Sequence, residues 1–301
     1  MEFDVIVIGA GPGGLNAALY CGRANLRTLV LEGGGIGGQV NYTNDIDNYI
    51  GFSGTGAELA EKMCEQTAKF GVTFSQERVK EIIKPDADIK IVRTRRNEYR
   101  ARAIVIATGA NPRKLGVDGE ERLTGAGVSY CATCDGAFFK DKTTLVVGGG
   151  NTAFEDALYL SKFCRAVYLV HRSEKFRANA RLVERVKASS KILIRTNETV
   201  EKIQGEKAVK SVVLKHTLSS RIGVLETDAV FVAVGRVPET ELVRDFLELD
   251  DAGYIITDEN MRTNIKGIYA VGDVRNTPLR QIVTAAADGA IAANHITGFL
   301  E

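Results

Sequence analysis

The sequence has no surplus of charge of either sign: 39 Lys and Arg face 38 Asp and Glu, a formal net charge of +1. Without a basic excess there is nothing to neutralise a run of phosphates or an anionic lipid surface, so neither nucleic acid nor membrane is an expected partner. Long apolar runs are missing too, and none approaches the roughly 20 residues that span a bilayer. A strand pattern opens at Phe3–Ile8 with no basic stretch and no small-residue cleavage site before it, so no signal peptide and a cytoplasmic location are expected. Cysteine is scarce and odd in number, at five, which argues against a disulfide scaffold. Histidine is scarcer, and His171, His216 and His295 stand alone, without ligand spacing; no metal site is expected.

Glycine, in contrast, numbers 31 and is clustered, as at tight turns around nucleotides. At 301 residues the chain is long enough for two domains, and it repeats itself. Residues 5–20 read VIVIGAGPGGLNAALY and residues 144–159 read TLVVGGGNTAFEDALY; further on, IVIATGANP at 104–112 matches VFVAVGRVP at 230–238. Each half predicts a strand, a glycine turn and a helix in a parallel α/β sheet. The tail carries one more strand pattern, GIYAVGDVR at 267–275, and a helix pattern at 282–296. One half thus lacks a terminal piece while a spare piece stands at the end, which predicts an insertion. The expected fold is two Rossmann-like nucleotide-binding domains, 1–113 with 243–301 and, inserted between them, 114–242, joined through the turn-rich segment at 109–123.

In the first turn Gly9, Gly11 and Gly14 fit G-x-G-x-x-G, with Pro12 and Gly13 between. Gly9 permits the turn, Gly11 lets a pyrophosphate approach the backbone, and Gly14 lets helix and strand pack. The next strand ends in Glu32, where a carboxylate accepts the ribose hydroxyls of an unphosphorylated adenosine. A second cluster from Gly33 to Gly38 and Gln39 lets the backbone run close to a large flat ligand, which favours a flavin.

In the second turn Gly148, Gly150, Asn151, Thr152 and Ala153 fit G-x-G-x-x-A. The following strand ends not in an acid but in His171 and Arg172, with Arg177 beyond, which favours the 2′-phosphate of NADPH over NADH. Surface basics at a strand end are the plainer reading of the same residues.

Between the turns stands Cys131-Ala132-Thr133-Cys134-Asp135-Gly136. The spacing brings two sulfurs within bonding reach, and zinc would need further ligands that Cys21, Cys64 and Cys164, all single and read as core residues, do not supply. Asp135 can pass a proton to a leaving thiolate, or cap the turn at Ala137–Lys140, or do both.

With GAGPGG, GGQV, ATGANP, CATCDG, GGGNTA and GDV in order, the whole chain resembles the low-molecular-weight thioredoxin reductases. The resemblance implies FAD in the split domain, NADPH in the inserted one, a homodimer, thioredoxin or a thioredoxin-like protein as partner, and rotation of the inserted domain during turnover. It implies flavin contacts at Gly11, Pro12, Gly38, Gln39, Asn48, Val79, Ala107, Thr108, Gly109, Asp273, Arg280, Gln281 and Ile282. It also implies that Cys134 faces the flavin, that Cys131 attacks the partner's disulfide, and that Asp135 handles the proton. One position departs: members using NADPH usually carry paired arginines after the histidine, and here Ser173 replaces the second. A deazaflavin- or ferredoxin-fed reductase, a flavin dithiol oxidase and a flavin-bound redox sensor are the alternatives.

Overall fold

In a computed structural model, residues 1–42 and 46–301 are described. The chain forms two compact units, Met1–Asn111 with Val237–Glu301, and Pro112–Arg236. The return to the first unit comes at Val237, ahead of 243, because Glu239 is tied back to it. Its N–H donates to the Gly109 carbonyl at 2.9 Å, and its carboxylate accepts from Asn111 Nδ2 at 2.6 Å.

In the first unit the parallel strands run in the order Thr73–Ser75, Thr28–Leu31, Glu2–Ile8 and Glu98–Ile106, and Ile268–Ala270 pairs with the end of the last. Strands covered on both faces must be apolar at every position, and the residues sort by parity. Val5, Val7, Val30 and Val105 pack under the helices Pro12–Arg23 and Ile282–Leu300. Ile6, Ile8, Leu29, Leu31, Ile104 and Ile106 fill the core on the other face.

The second unit repeats the order: Ile192–Thr196, Ala166–His171, Thr143–Val147 and Ala229–Val232, all parallel, with Val128–Ser129 on the far side. The fifth strand has different origins. In the second unit it comes from the segment entering the unit; in the first it comes from the C-terminal return.

The sequence predicts only parallel sheet, and the structure adds antiparallel strands to both units. Glu81–Ile83 and Lys90–Arg93 extend the first sheet, and Glu198–Gln204, Ser211–His216 and Ile222–Glu226 form a separate three-stranded sheet. Among the described residues no helix is long and apolar enough to cross a membrane.

Candidate functional site

The first glycine turn is built by backbone geometry. Gly9 takes φ +107°, in the left-handed region, and a Cβ on Gly14 would stand 2.0 Å from the Gly9 carbonyl oxygen. Pro12 occupies the first turn of the helix, whose N-terminus at Gly11 carries no side-chain cap. Its free N–H groups therefore face outward, and a Cβ on Gly11 would meet nothing within 4 Å. Gly38 closes over this opening, its own Cβ position 3.6 Å from Gly11 Cα.

The structure brings the sequence-distant residues to this turn within the one unit. Glu32 bridges the two glycine segments: Oε2 accepts from Ala10 N at 2.7 Å and Oε1 from Gly34 N at 2.5 Å. A carboxylate has about four acceptor positions, so two stay available for ribose hydroxyls. Gly33 packs on Arg78, next to Val79, which lies against the core that includes Ile6, Leu31 and Ile104. Gln39 Nε2 donates to the Ala110 carbonyl. Ala107 follows the strand end, its N–H bonded to the Ile8 carbonyl at 2.8 Å, and Thr108 Oγ1 donates to the Glu239 carbonyl at 2.7 Å. A Cβ on Gly109 (φ +77°) would meet nothing within 4 Å.

The C-terminal piece arrives by close helix packing. A Cβ on Gly289 would stand 2.3 Å from the Gly13 carbonyl oxygen, so the helix Ile282–Leu300 presses directly on the turn. Asp273 lies in the short turn Gly272–Val274, which Asp288 pins by accepting from Gly272 N at 3.0 Å and pairing with Arg275 at 3.2 Å. Asn48 Nδ2 donates to Gln281 Oε1 at 3.2 Å, and Gln281 in turn caps the helix that starts at Ile282. Arg280 stacks over Tyr254 at 4.1 Å, and its buried Nε has no partner among the described residues. An open helix N-terminus, glycine-lined clearance and a buried donor awaiting an acceptor fit a dinucleotide carrying a flat ring system.

The second turn repeats the first in the other unit. Gly148 has φ +156°, a Cβ on it would stand 2.4 Å from the Ala233 carbonyl oxygen and 2.7 Å from Ala153 Cβ, and Gly150 has open space around it. The helix Asn151–Leu160 begins there without a side-chain cap; Thr152 is exposed and Ala153 fully buried. Asn151 has a task the sequence does not reveal: its Oδ1 accepts from Asn179 N at 2.9 Å. The Gly149 carbonyl accepts from both Arg177 N (2.7 Å) and Ala178 N (3.1 Å), so the loop after Ala166–His171 is fastened to the turn by its main chain. Arg172 and Arg177 are exposed. Ser173 Oγ is engaged within the loop, by His171 Nε2 at 3.3 Å and the Lys175 carbonyl at 3.2 Å. The His171 ring covers Gly149, where a Cβ would fall within 2.3 Å of it, and burial pushes its pKa down.

Cys131 and Cys134 are joined as a disulfide, with Cα atoms 5.3 Å apart, on either side of the start of the single-turn helix Ala132–Asp135. Gly136 lets this turn sit on the helix Asn151–Leu160, since a Cβ there would stand 2.8 Å from Leu160 Cδ2. The capping role open to Asp135 is not what its side chain does: the turn Gly136–Phe139 has no side-chain cap, and Asp135 Oδ2 instead accepts from Ser129 Oγ at 2.6 Å. Burial raises the Asp135 pKa, and the Ser129 hydroxyl pulls it the other way. Two further residues support the pair. Glu120, 1% exposed, accepts from Leu115 N (2.8 Å), Gly116 N (2.7 Å) and Tyr130 Oη (2.9 Å). Burial and this carboxylate both raise the Tyr130 pKa. The sequence assigns no role to Ser129 or Glu120, and Tyr130 carries only its place next to Cys131. Of the lone cysteines, Cys21 and Cys164 are core residues as expected, whereas Cys64 is half-buried because it lies at the rim of its helix's inner face.

Comparison with known proteins agrees with this arrangement. Residues 3–289 match the pyridine nucleotide-disulphide oxidoreductase family. A thioredoxin reductase of Listeria innocua is 46% identical over 301 residues, covering 99% of this chain and 94% of its own. The crystal structure of thioredoxin reductase from Streptococcus pyogenes superposes with a TM-score of 0.94 at 44% identity, covering 99% of this chain and 98% of that one. A ferredoxin-flavin thioredoxin reductase from Clostridium acetobutylicum aligns with a TM-score of 0.53 at 30% identity, covering 99% and 97%. The chain therefore belongs to the pyridine nucleotide-disulphide oxidoreductases and, among them, to the thioredoxin reductases, flavin-dependent enzymes that act on disulfides.

Proposed function

We propose that this reductase passes electrons from NADPH, through FAD bound in the split unit, to Cys131–Cys134 and on to the disulfide of thioredoxin or a thioredoxin-like protein. The observation that carries the reading is the oxidised cysteine pair beside a half-buried Asp135, in a unit whose glycine turn is fastened to a loop bearing the exposed Arg172 and Arg177.

In the split unit the free amides after Gly11 would hold the pyrophosphate, Glu32 the ribose, and Gly38, Gln39, Thr108, Gly109, Asp273 and Arg280–Ile282 the remainder of FAD. When bound, the flavin supplies a two-electron relay between a hydride donor and a dithiol. In the inserted unit Gly148–Ala153 would hold the NADPH pyrophosphate, with Arg172 and Arg177 on the 2′-phosphate. The residues of the pair then act in sequence. The Cys131 thiolate attacks the partner's disulfide, forming a mixed disulfide and expelling one partner thiolate. Asp135 gives that sulfur its proton. The Cys134 thiolate next attacks Cys131 Sγ, which restores the internal disulfide and frees the second partner sulfur. Two electrons leave the pair, and the partner's two thiolates take up two protons, one from Asp135 and one that the Cys134 thiol gives up as it becomes the attacking thiolate. The family resemblance further supports a homodimer in the cytoplasm.

Cys134→Ser tests the reading. The variant should bind FAD in full yet reduce no disulfide, because the internal relay is cut; sustained turnover would refute the assignment. A second reading, the same enzyme fed by a deazaflavin or ferredoxin, is favoured by one observation: Ser173 stands where a phosphate-binding arginine is expected, with its hydroxyl bonded inside its own loop. Anaerobic stopped-flow reduction of the bound flavin decides between them. Rapid reduction by NADPH supports the first reading, and reduction by the other carriers alone supports the second.

A further inference from the structure

We propose that Ser129 is a positioning residue for proton transfer at the cysteine pair, using one hydroxyl to hold both Asp135 and the main chain of Cys131. The inference rests on the reading of Asp135 as the group that handles the proton.

The helix Ala132–Asp135 is one turn long, and a single turn has little stability of its own. Its Asp135 does not cap the following turn. Ser129 is different: it belongs to the strand Val128–Ser129, which pairs with Val230–Phe231 in the sheet, and it is 5% exposed. Its Oγ accepts from Cys131 N at 3.0 Å and lies 2.6 Å from Asp135 Oδ2. The Cys131 carbonyl is also near, at 3.3 Å. A hydroxyl has a single proton, and the shorter contact, to a carboxylate, is the stronger acceptor. The hydroxyl therefore donates to Asp135, and among the described residues it is that carboxylate's one hydrogen-bond partner. A rigid sheet residue thus sets where the acid points and where the attacking cysteine begins.

The same bond sets the acidity. Burial favours the protonated acid, and a donated hydrogen bond favours the carboxylate, so Ser129 keeps Asp135 from becoming too weak an acid. The helix Asn151–Leu160, packed against this turn, contributes Glu155, Asp156 and Tyr159 as titratable groups; the turn itself contributes Cys131 and Cys134, and Lys140 follows it. While the cysteines are joined as a disulfide and do not titrate, the Asp135 acidity answers to burial and Ser129.

A general acid works while protonated, so turnover falls as pH rises through its pKa, giving an alkaline limb. Removing the hydroxyl should raise that limb by roughly one pH unit, since a hydrogen bond to a charged group is worth about that much. The experiment measures the pH profile of disulfide turnover for flavin-loaded wild type, Ser129→Ala, Ser129→Thr, Ser129→Val and Asp135→Asn. Threonine and valine share one shape and differ in the hydroxyl, so they separate its effect from any packing disturbance. The limb should move upward in the alanine and valine variants, stay in place in the threonine variant, and vanish in Asp135→Asn. A limb that survives Asp135→Asn overturns the proton-transfer reading itself. One that vanishes there but stays in place in both Ser129→Ala and Ser129→Val overturns the role given to Ser129.

Discussion

Replacing Glu120 with glutamine removes a charge while keeping the shape, and the structure states what that change must cost. Both carboxylate oxygens are in use: Oε1 accepts from Leu115 N and Tyr130 Oη, and Oε2 accepts from Gly116 N, all within 2.9 Å. A glutamine has only one acceptor oxygen. If that oxygen stays at the Oε1 position, the new amide group confronts the Gly116 N–H; if the amide is flipped, it confronts the Leu115 N–H. Either way one donor of a part-buried segment loses its partner, and a buried polar group at position 120 is left mismatched, at about 1–3 kcal/mol. The surviving bonds also change from charge-assisted to neutral, which removes roughly another 1 kcal/mol. Glu120→Gln should therefore destabilise the protein by about 2–4 kcal/mol. Tyr130→Phe removes one of the three donors and should cost less. Because the two residues share a bond, their effects should couple by at least about 0.5 kcal/mol in a double-mutant cycle. Urea denaturation of the four proteins, followed by circular dichroism, measures these quantities. A Glu120→Gln effect within about 0.5 kcal/mol, the range of ordinary surface changes, would refute the claim that this carboxylate anchors the approach to Cys131.

Ser173→Arg should place a third guanidinium beside Arg172 and Arg177 and tighten NADPH about ten-fold or more while leaving NADH unchanged, as equilibrium titration would show. An unchanged NADPH affinity would mean that this loop does not face the phosphate. Glu77 provides a test by pH: the hydroxyls of Thr94 and Tyr99, with Ser75 and Asn97, hold its carboxyl at about 2, against an ordinary 4.5. A depressed carboxyl contributes stability above 4.5 that is lost as pH falls toward 2. Glu77→Gln should flatten the acid limb of a stability–pH curve across that window, and parallel curves for variant and wild type would refute it.

The parts of this protein that sequence makes legible are those where the backbone itself selects the residue. Gly9, Gly14 and Gly148 can be read as turns because a side chain there would collide with a carbonyl or face a positive φ. The parity of Val5 to Ile8 displays a strand covered on both sides. The separate antiparallel sheet escapes notice for an equally physical reason. Its first strand carries a register shift between Val200 and Lys202, so the buried Val200 and Ile203 stand three apart and the alternation that marks a strand is broken. Side-chain partnerships are the least visible of all. Asp135 reads as a cap by its place in the chain, yet its partner is Ser129, six residues earlier on a sheet strand. Glu120 looks like any surface glutamate until the fold brings Tyr130 to it. Both depend on tertiary placement, which a local pattern does not encode.

The loop from Arg172 to Asn179 has its shape set by main-chain bonds to the Gly149 carbonyl and by the Asn151 side chain. These fastenings leave out the Arg172 and Arg177 side chains, whereas Ser173 Oγ bonds inside the loop. The exposed positions 172 and 177 are thus free to change identity without refolding it. A lineage could exchange its electron donor by one or two substitutions at 172 or 177, with the dithiol chemistry downstream left untouched. Preference for a donor would then be among the fastest-drifting properties of this architecture, and the cysteine pair among the slowest.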